Sequence, residues 1–378
     1  MVSSRLVLLL SPLLLHAESF EDFKQVQDNS FKQEKVKFID FKKQEDQAFK
    51  SHLEQERKAI SSYQKKVRSF WAQSDLEDAK KLTNYSKDLQ TKSLIDFEKN
   101  QIVISQIAKH KKVSKQELVQ QLNKTLQLNN QEAFKQNNLE QNINALTPHS
   151  KYIKEAKLDK QPLIQVGNQK TAISAQDVAM TKKGEVYEVR YTLPKNSTYK
   201  RSYNYLVAAK SNAARFNLDA EILLAIMHSE SSFNPMARSH IPAFGLMQIV
   251  PKSAGIDSYK FLYNKRRLLS ASYLYNTKNN IEIGSAYFHI LYYKYLSSIK
   301  DPQSRLYCAI AGYNTGAGNV AWAFVRSYNI KKASKIINTM NAAQVYKHLQ
   351  RHLKYDEPKH YLKRVSERSI KYKELYRL

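Results

Sequence analysis

The chain has 378 residues, and its 61 lysines and arginines against 34 aspartates and glutamates give a formal net charge of +27. That length, with 42% hydrophobic residues, suffices for two packed domains and an extension. The charge favours an anionic partner, and the single cysteine, Cys308, excludes an internal disulfide, so stability comes from packing.

Residues 1–17, MVSSRLVLLLSPLLLHA, combine an early arginine, an apolar run and Ala17 ahead of a polar start, the pattern of a secretory signal peptide. The run is too short to span a bilayer, which needs about 20 residues. An exported chain does not meet nucleic acid, which leaves an anionic membrane surface or an acidic cell-wall polymer as basic-surface partners. Residues 18–70 contain neither glycine nor proline, and Phe20, Phe23, Phe31, Phe38, Phe41, Phe49 and Leu53 recur at near-helical spacing. This predicts a long helical extension whose aromatic stripe is a packing seam.

Residues 71–200 predict a small α+β domain. The text after Trp71 is polar and helical at first; SLIDFEKNQIVISQIA then alternates across Lys99-Asn100 as a hairpin does, with Ile102, Val103 and Ile104 β-branched. VSKQELVQQLNKTL predicts a helix, ALTPHS breaks the pattern, and residues 185–193 predict a further strand that ends at Pro194. No nucleophile, metal cluster or phosphate loop stands out here.

Residues 201–378 predict an all-α domain with a catalytic groove between helices. Successive helical runs are joined at Asn234-Pro235, Gly255-Ile256-Asp257 and Asp301-Pro302, and Asn217-Leu218-Asp219 offers an N-cap. Cys308 sits in the core-helix pattern RLYCAIAGY and has no chemical role. Within this region one carboxylate, Glu230, ends the apolar run EILLAIMHSE. An apolar setting raises a carboxylic acid's pKa towards working pH, as proton donation to a glycosidic oxygen requires. An isolated Glu at a helix end usually just faces water, and three later segments change that reading. Gly245-Leu246-Met247-Gln248 supplies a tight turn, an apolar wall and an amide able to hold a sugar hydroxyl or acetamido group. Tyr313-Asn314 places a hydroxyl and an amide before a glycine-rich turn, and Tyr361 lies near the start of the last helix.

In chain order, ESSFNPMARS, AFGLMQIV, AGYNTGAGNV and HYLKRV resemble the four motifs of the lytic transglycosylases of the soluble-lytic-transglycosylase, lysozyme-like superfamily. YTLPKNSTYKRSYNYLVAAKSNAARFNLDAEILLAIM extends the likeness upstream, towards the membrane-bound lytic murein transglycosylase C family. The likeness covers residues 71–378, most closely from Tyr191 onward. It implies an all-α lysozyme-like catalytic domain that acts on peptidoglycan glycan strands in the periplasm without metal or organic cofactor. Carried over by position, Glu230 is the sole acid and base, Met247 and Gln248 line the saccharide cleft, Tyr313 and Asn314 face the acid, and Tyr361 approaches it. Ser232 and Asn234 belong to the first motif, in support of the substrate cleft or simply as cap and turn.

Paired-carboxylate glycosidases need a second acid at the same bond, and none is evident; Glu221, Asp257 and Glu282 stand outside the motifs. This favours lytic cleavage of the β-1,4 bond between N-acetylmuramic acid and N-acetylglucosamine, closing a 1,6-anhydro ring. A goose-type lysozyme-like hydrolase and a non-catalytic peptidoglycan-binding scaffold are the alternatives. That family's mature chains begin with a lipidated cysteine; here Cys308 is the only one, so the expectation is a periplasmic enzyme held peripherally by charge, by the Phe-rich helix or by cell-wall assembly proteins. His348, His352 and His360 lack a carboxylate or cysteine partner for a metal site, and Gly312, Gly316 and Gly318 lack the strand and lysine of a phosphate loop. His228 either tunes Glu230 or forms groove wall.

Overall fold

The computed structural model describes residues 36, 40, 43, 47, 50–72, 76, 78–108, 112–146, 158–165 and 172–378. The expected signal peptide and the phenylalanines Phe20 to Phe49 lie outside the described residues. Helix α1 is continuous over residues 50–68. Two units separate, Met1–Ser61 with Ile143–Ser150 and Ser62–Asn142 with Lys151–Leu378. In the first, residues 50–61 are helical. All that follows concerns the second.

A five-stranded antiparallel sheet has the order β1-β2-β3-β5-β4, with β1 Lys81–Tyr85, β2 Thr91–Asp96, β3 Gln101–Ile107, β4 Met180–Lys183 and β5 Val186–Thr192. The predicted hairpin is β2-turn-β3. Asn100 takes the left-handed conformation at φ 52°, and the Asp96 carboxylate accepts from the Lys99 N–H at 2.8 Å. Strand β1 is a correction to the reading of a helical start after Trp71. KLTNY is polar, but Leu82 faces Ile95 across the ladder and both are buried, so pairing decides what local propensity does not. Trp71 is buried and donates its indole N–H to the Leu89 carbonyl at 2.7 Å. Helices α2 Lys115–Leu126, α3 Asn130–Gln136 and α4 Asn138–Leu146 follow, and α2 packs its Leu118 and Leu122 into the core beside the sheet.

The remaining helices are α5 Ser197–Phe216, α6 Ala220–Ser231, α7 Ile256–Tyr263, α8 Ala271–Tyr275, α9 Thr277–His289, α10 Pro302–Thr315, α11 Ala317–Val325, α12 Ile330–Ile337, α13 Ala342–His352 and α14 Asp356–Tyr376. The expected connection at Asp301-Pro302 leads into α10, which Asp301 caps by accepting from the Ser304 N–H at 2.7 Å. The expected break at Gly255-Ile256-Asp257 is instead the junction between a π-helical turn, Pro251–Gly255, and α7. Helix α6 is apolar around its whole circumference and is covered by α5 and α14, which suits a central buried helix. Cys308 is fully buried.

Sheet region and helices share buried polar ties. Glu140 of α4 pairs with Arg238 at 3.2 Å and accepts from the Tyr275 hydroxyl at 2.6 Å. Asn130 donates to the Tyr275 carbonyl at 2.7 Å, and Asp159 accepts from the Thr277 N–H at 3.0 Å. Groups buried this way are costly to leave unpaired, so they fix how the elements dock.

Candidate active site

Helix α6 carries Glu230 near its C-terminal end, where a largely buried helix leaves this side chain half-buried. The helix stops because Ser232 and Phe233 both adopt positive φ, 51° and 63°. For two consecutive non-glycine residues, one of them bulky, this is a strained arrangement that must be held from outside. Phe233 is buried and stacks on Tyr205 with ring centroids 5.9 Å apart and planes 8° apart. The Ser232 carbonyl accepts from the Arg201 guanidinium at 3.3 and 3.4 Å. Arg201, 1% exposed, also donates to the Phe97 carbonyl at 2.7 Å and to Asn100 Oδ1 at 2.9 Å. Burial lowers its pKa to about 10, so it keeps its charge at neutral pH. One buried cation on α5 thereby ties the β2–β3 turn to the strained turn behind the candidate acid. Arg201→Ala takes the guanidinium away from the buried Phe97 and Ser232 carbonyls and should cost about 3 kcal/mol or more, measured by urea unfolding.

The Glu230 carboxyl is pushed up to about 8, chiefly by burial. Tyr361 and the charges of Arg364 and Lys80 oppose that rise, while Glu357 adds to it. The folded pKa stands above the ordinary 4.5, so the contribution to stability is full below that value and is lost as pH rises through about 8. Glu230→Gln should therefore gain stability over wild type on moving from acid to alkaline pH, read from thermal unfolding across that window. His228, two residues earlier, shows the opposite slope. Burial and neighbouring cations, Arg368 first, depress it to about 2, so its contribution is full above 6.5 and lost towards acid. It is neutral at working pH and packed among Tyr199, Phe233 and Tyr372, with Nδ1 3.0 Å from the Tyr372 hydroxyl.

Two tyrosines flank the carboxyl. Tyr313 of α10 is buried and donates to the Met247 carbonyl at 2.9 Å. Tyr361 of α14 is 1% exposed, and its hydroxyl closes no full hydrogen bond among the described residues although it approaches Glu230 closely enough to favour the charged carboxylate. Burial and the Glu230 charge raise both phenols far above their ordinary value, so both remain neutral donors. A hydroxyl poised but unbonded fits a contact that tightens during reaction. Tyr361→Phe removes an unpaired buried polar atom, so thermal stability should hold or rise slightly. The alkaline limb of the rate should move to higher pH while the maximal rate falls. A large loss of stability would contradict this placement.

The loop beyond α6 completes the site. Gly245 has φ 74°, and the Met247 N–H donates to Asn280 Oδ1 at 2.8 Å. Met247 is fully buried, with its sulfur against Gly284, where a Cβ would stand 2.4 Å away. It therefore acts through its carbonyl, which orients Tyr313. Gln248 is half-buried in a left-handed conformation, φ 48°, and its amide donates to the Gly245 carbonyl at 3.0 Å. Asn314 is half-buried next to Tyr313 on α10. Ser232 and Asn234 are buried; the Asn234 side chain accepts from the Met236 N–H at 3.0 Å and closes the turn.

Sequence reading missed Arg201, Lys80, Arg364 and Glu357. The first two lie outside every motif; Arg364 stands within HYLKRV without a legible role. Glu221, Asp257 and Glu282 are each engaged elsewhere, with Lys373, with the Tyr295 hydroxyl, and with Arg215 and Tyr263. Glu357, at the start of α14, is the carboxylate whose charge reaches Glu230; it is exposed and paired with Arg364 at 3.2 Å. The His348 and His352 rings lie 4.3 Å apart and tilted by 41°, with His348 stacked on Phe324 at 4.4 Å. No cluster of three or more His, Cys, Asp or Glu suited to a metal ion occurs among the described residues.

The site thus presents a single half-buried carboxylic acid at the end of a buried helix, flanked by two tyrosines, as its candidate proton donor. Residues 208–336 match the model of the Transglycosylase SLT domain. The chain is 40% identical over 182 residues to the membrane-bound lytic murein transglycosylase C of Sodalis glossinidius, covering 48% of this chain and 50% of that protein. It is 40% identical over 181 residues to the Klebsiella pneumoniae protein of the same name, covering 48% and 49%. The chain thus spans about half the length of the curated relatives it matches. Among solved structures, an inactive mutant of the lytic transglycosylase Slt from Pseudomonas aeruginosa aligns at TM-score 0.33 and 21% identity, over 45% of this chain and 24% of that one. The 70 kDa soluble lytic transglycosylase from Escherichia coli aligns at 0.35 and 22%, over 46% and 24%. The likeness to lytic murein transglycosylases read from the four motifs is borne out by the family match and these relatives.

Proposed function

We propose that this protein is a peptidoglycan lytic transglycosylase that cleaves the β-1,4 bond between N-acetylmuramic acid and N-acetylglucosamine and leaves 1,6-anhydromuramic acid ends. The observation that carries the reading is the carboxyl of Glu230, raised to about 8 by burial, so that it holds a proton at neutral pH. Glu230 protonates the leaving glycosidic oxygen; the substrate's acetamido group stabilises the cation. The same carboxylate then takes the proton of the C6 hydroxyl as that oxygen closes onto C1. Tyr361, whose hydroxyl is unbonded among the described residues, donates to the negative charge that develops on Glu230, while Tyr313, its one hydroxyl proton held by the Met247 carbonyl, walls the carboxyl. Gln248 and Asn314 hold sugar substituents, and Ser232 and Asn234 shape the turn beneath them.

The helices from residue 201 form the lysozyme-like catalytic domain, the sheet and its helices a small domain over residues 71–200, and residues 18–70 an extension behind an exported leader. The place of action is the periplasmic side of the envelope, in keeping with relatives named membrane-bound. No helix among the described residues is long and apolar enough to cross a membrane.

The charge of Glu357 near Glu230 favours one second reading, a hydrolase in which Glu357 activates water. Mass analysis of muropeptides released from sacculi separates the two. Anhydro ends that persist in Glu357→Gln support lytic cleavage; reducing ends lost with Glu357→Gln establish hydrolysis.

A further inference from the structure

The sheet carries an irregularity that the catalytic site does not use. Cross-strand partners share a face, so Leu82, Ile95 and Ile102 stand in one row and Asn84, Ser93 and Ile104 in the next. Thr91 pairs with Gln106 one row further along the same face. At one end this face is core, with Leu82, Ile95, Ile102 and Ile104 all buried. At the other end it turns polar beneath α2 and α3, where Asn84, Thr91, Ser93, Gln106, Gln121 and Gln136 line a cavity of about 490 Å³. A face that simply packed against α2 would stay apolar along its length. Asn84 Oδ1 is buried there without a partner among the described residues, and burying an unpaired carbonyl lowers stability. Such a break in patterning marks a site more often than a flaw.

We propose that this cavity is a second carbohydrate-binding site, separate from the cleft at Glu230, that takes an N-acetylhexosamine unit of a glycan strand. Its volume lies in the range of small-ligand sites. Four of its six named side chains are carboxamides, which donate and accept at once, as sugar hydroxyls and acetamido groups also do. The charges at its edge are mixed, Glu117 against Lys87 and Lys135, so the chemistry is that of a neutral ligand rather than a phosphate or polyanion. The choice of an N-acetylated sugar rests on the reading of the catalytic domain given above. Seated there, a strand is held by the sheet domain while another stretch lies in the catalytic cleft, which raises its effective concentration at Glu230.

The test uses the full chain with Glu230→Gln, which binds without cutting, titrated with tetra-N-acetylchitotetraose. Side-chain amide NMR signals of Gln106, Gln121 and Gln136 should shift and saturate. Gln136→Ala, on the exposed surface of α3 and harmless to folding, and Gln106→Ala should each weaken that phase about tenfold. The Gln248 signal should keep its own response. In the Glu230 background, both substitutions should leave cleavage of short soluble glycans unchanged and slow the digestion of sacculi. Cavity amides that stay fixed while Gln248 responds would overturn the second site and leave the catalytic reading standing. Failure of both to respond would count against both.

Discussion

Glu230→Gln is expected to lower the release of soluble muropeptides from sacculi by about two to four powers of ten, the usual worth of a general acid. The amide keeps the shape and one acceptor of the carboxyl but cannot deliver a proton. The surroundings that raise Glu230 to about 8 leave no substitute donor within the cluster. His228 is held neutral at about 2, and both flanking phenols sit well above their ordinary value. Wild-type rates should accordingly fall as pH rises above about 8, where Glu230 loses its proton. Digestion that survives the substitution would take the acid away from α6 altogether, whereas a fold lost with it, read by circular dichroism, would leave the role unsupported by that variant. The stability profile already described guards against this, because removing the titrating group should stabilise the alkaline form.

The second large effect lies in the loop. Gly245→Ala should cost about 4 kcal/mol or more, from left-handed strain of roughly 1–2 kcal/mol and the disruption of buried hydrogen bonds worth about 1–3 kcal/mol each. The new Cβ would stand 2.3 Å from Asn280 Nδ2 and 2.4 Å from the Leu274 carbonyl. Asn280 is fully buried and donates at 2.8 Å to the carbonyls of Phe244 and Leu274 while accepting from the Met247 N–H. Pushing it aside strands all three partners and releases the Met247 carbonyl that aims Tyr313. Against a typical total of about 5–15 kcal/mol, the loss should appear as a marked drop in melting temperature. The remaining folded fraction should also cleave more slowly per molecule. A melting temperature equal to wild type would show that the loop yields without the Asn280 hub.

What could be seen in the residues alone divides along a physical line. Helix α6 and its terminal acid were legible because a wholly apolar run closed by a carboxylate is a local pattern, and the β2–β3 hairpin was legible because β-branched residues flank an asparagine that tolerates positive φ. Strand β1 was not, since KLTNY becomes a strand only through its pairing with β2. Arg201 was hidden for the same reason, because an arginine inside a long helix reads as solvated until the Phe97 and Ser232 carbonyls arrive from distant segments. The absence of a second acid was a statement about neighbours in sequence, and α14 brings Glu357 within electrostatic range from far along the chain. Met247 was expected at the cleft wall for its side chain, yet its position is that of a buried backbone acceptor.

The span matched by the Transglycosylase SLT domain model, residues 208–336, begins after Arg201 and ends before Tyr361. A fragment trimmed to those limits would keep the acid, the Gly245 loop and Tyr313. It would lose the guanidinium that holds the turn behind the acid and the hydroxyl that faces it. The smallest fragment expected to keep the whole candidate site is thus longer than the matched module at both ends. On its upstream side it must include the β2–β3 turn, because Arg201 without Phe97 and Asn100 is a buried cation with half its acceptors gone.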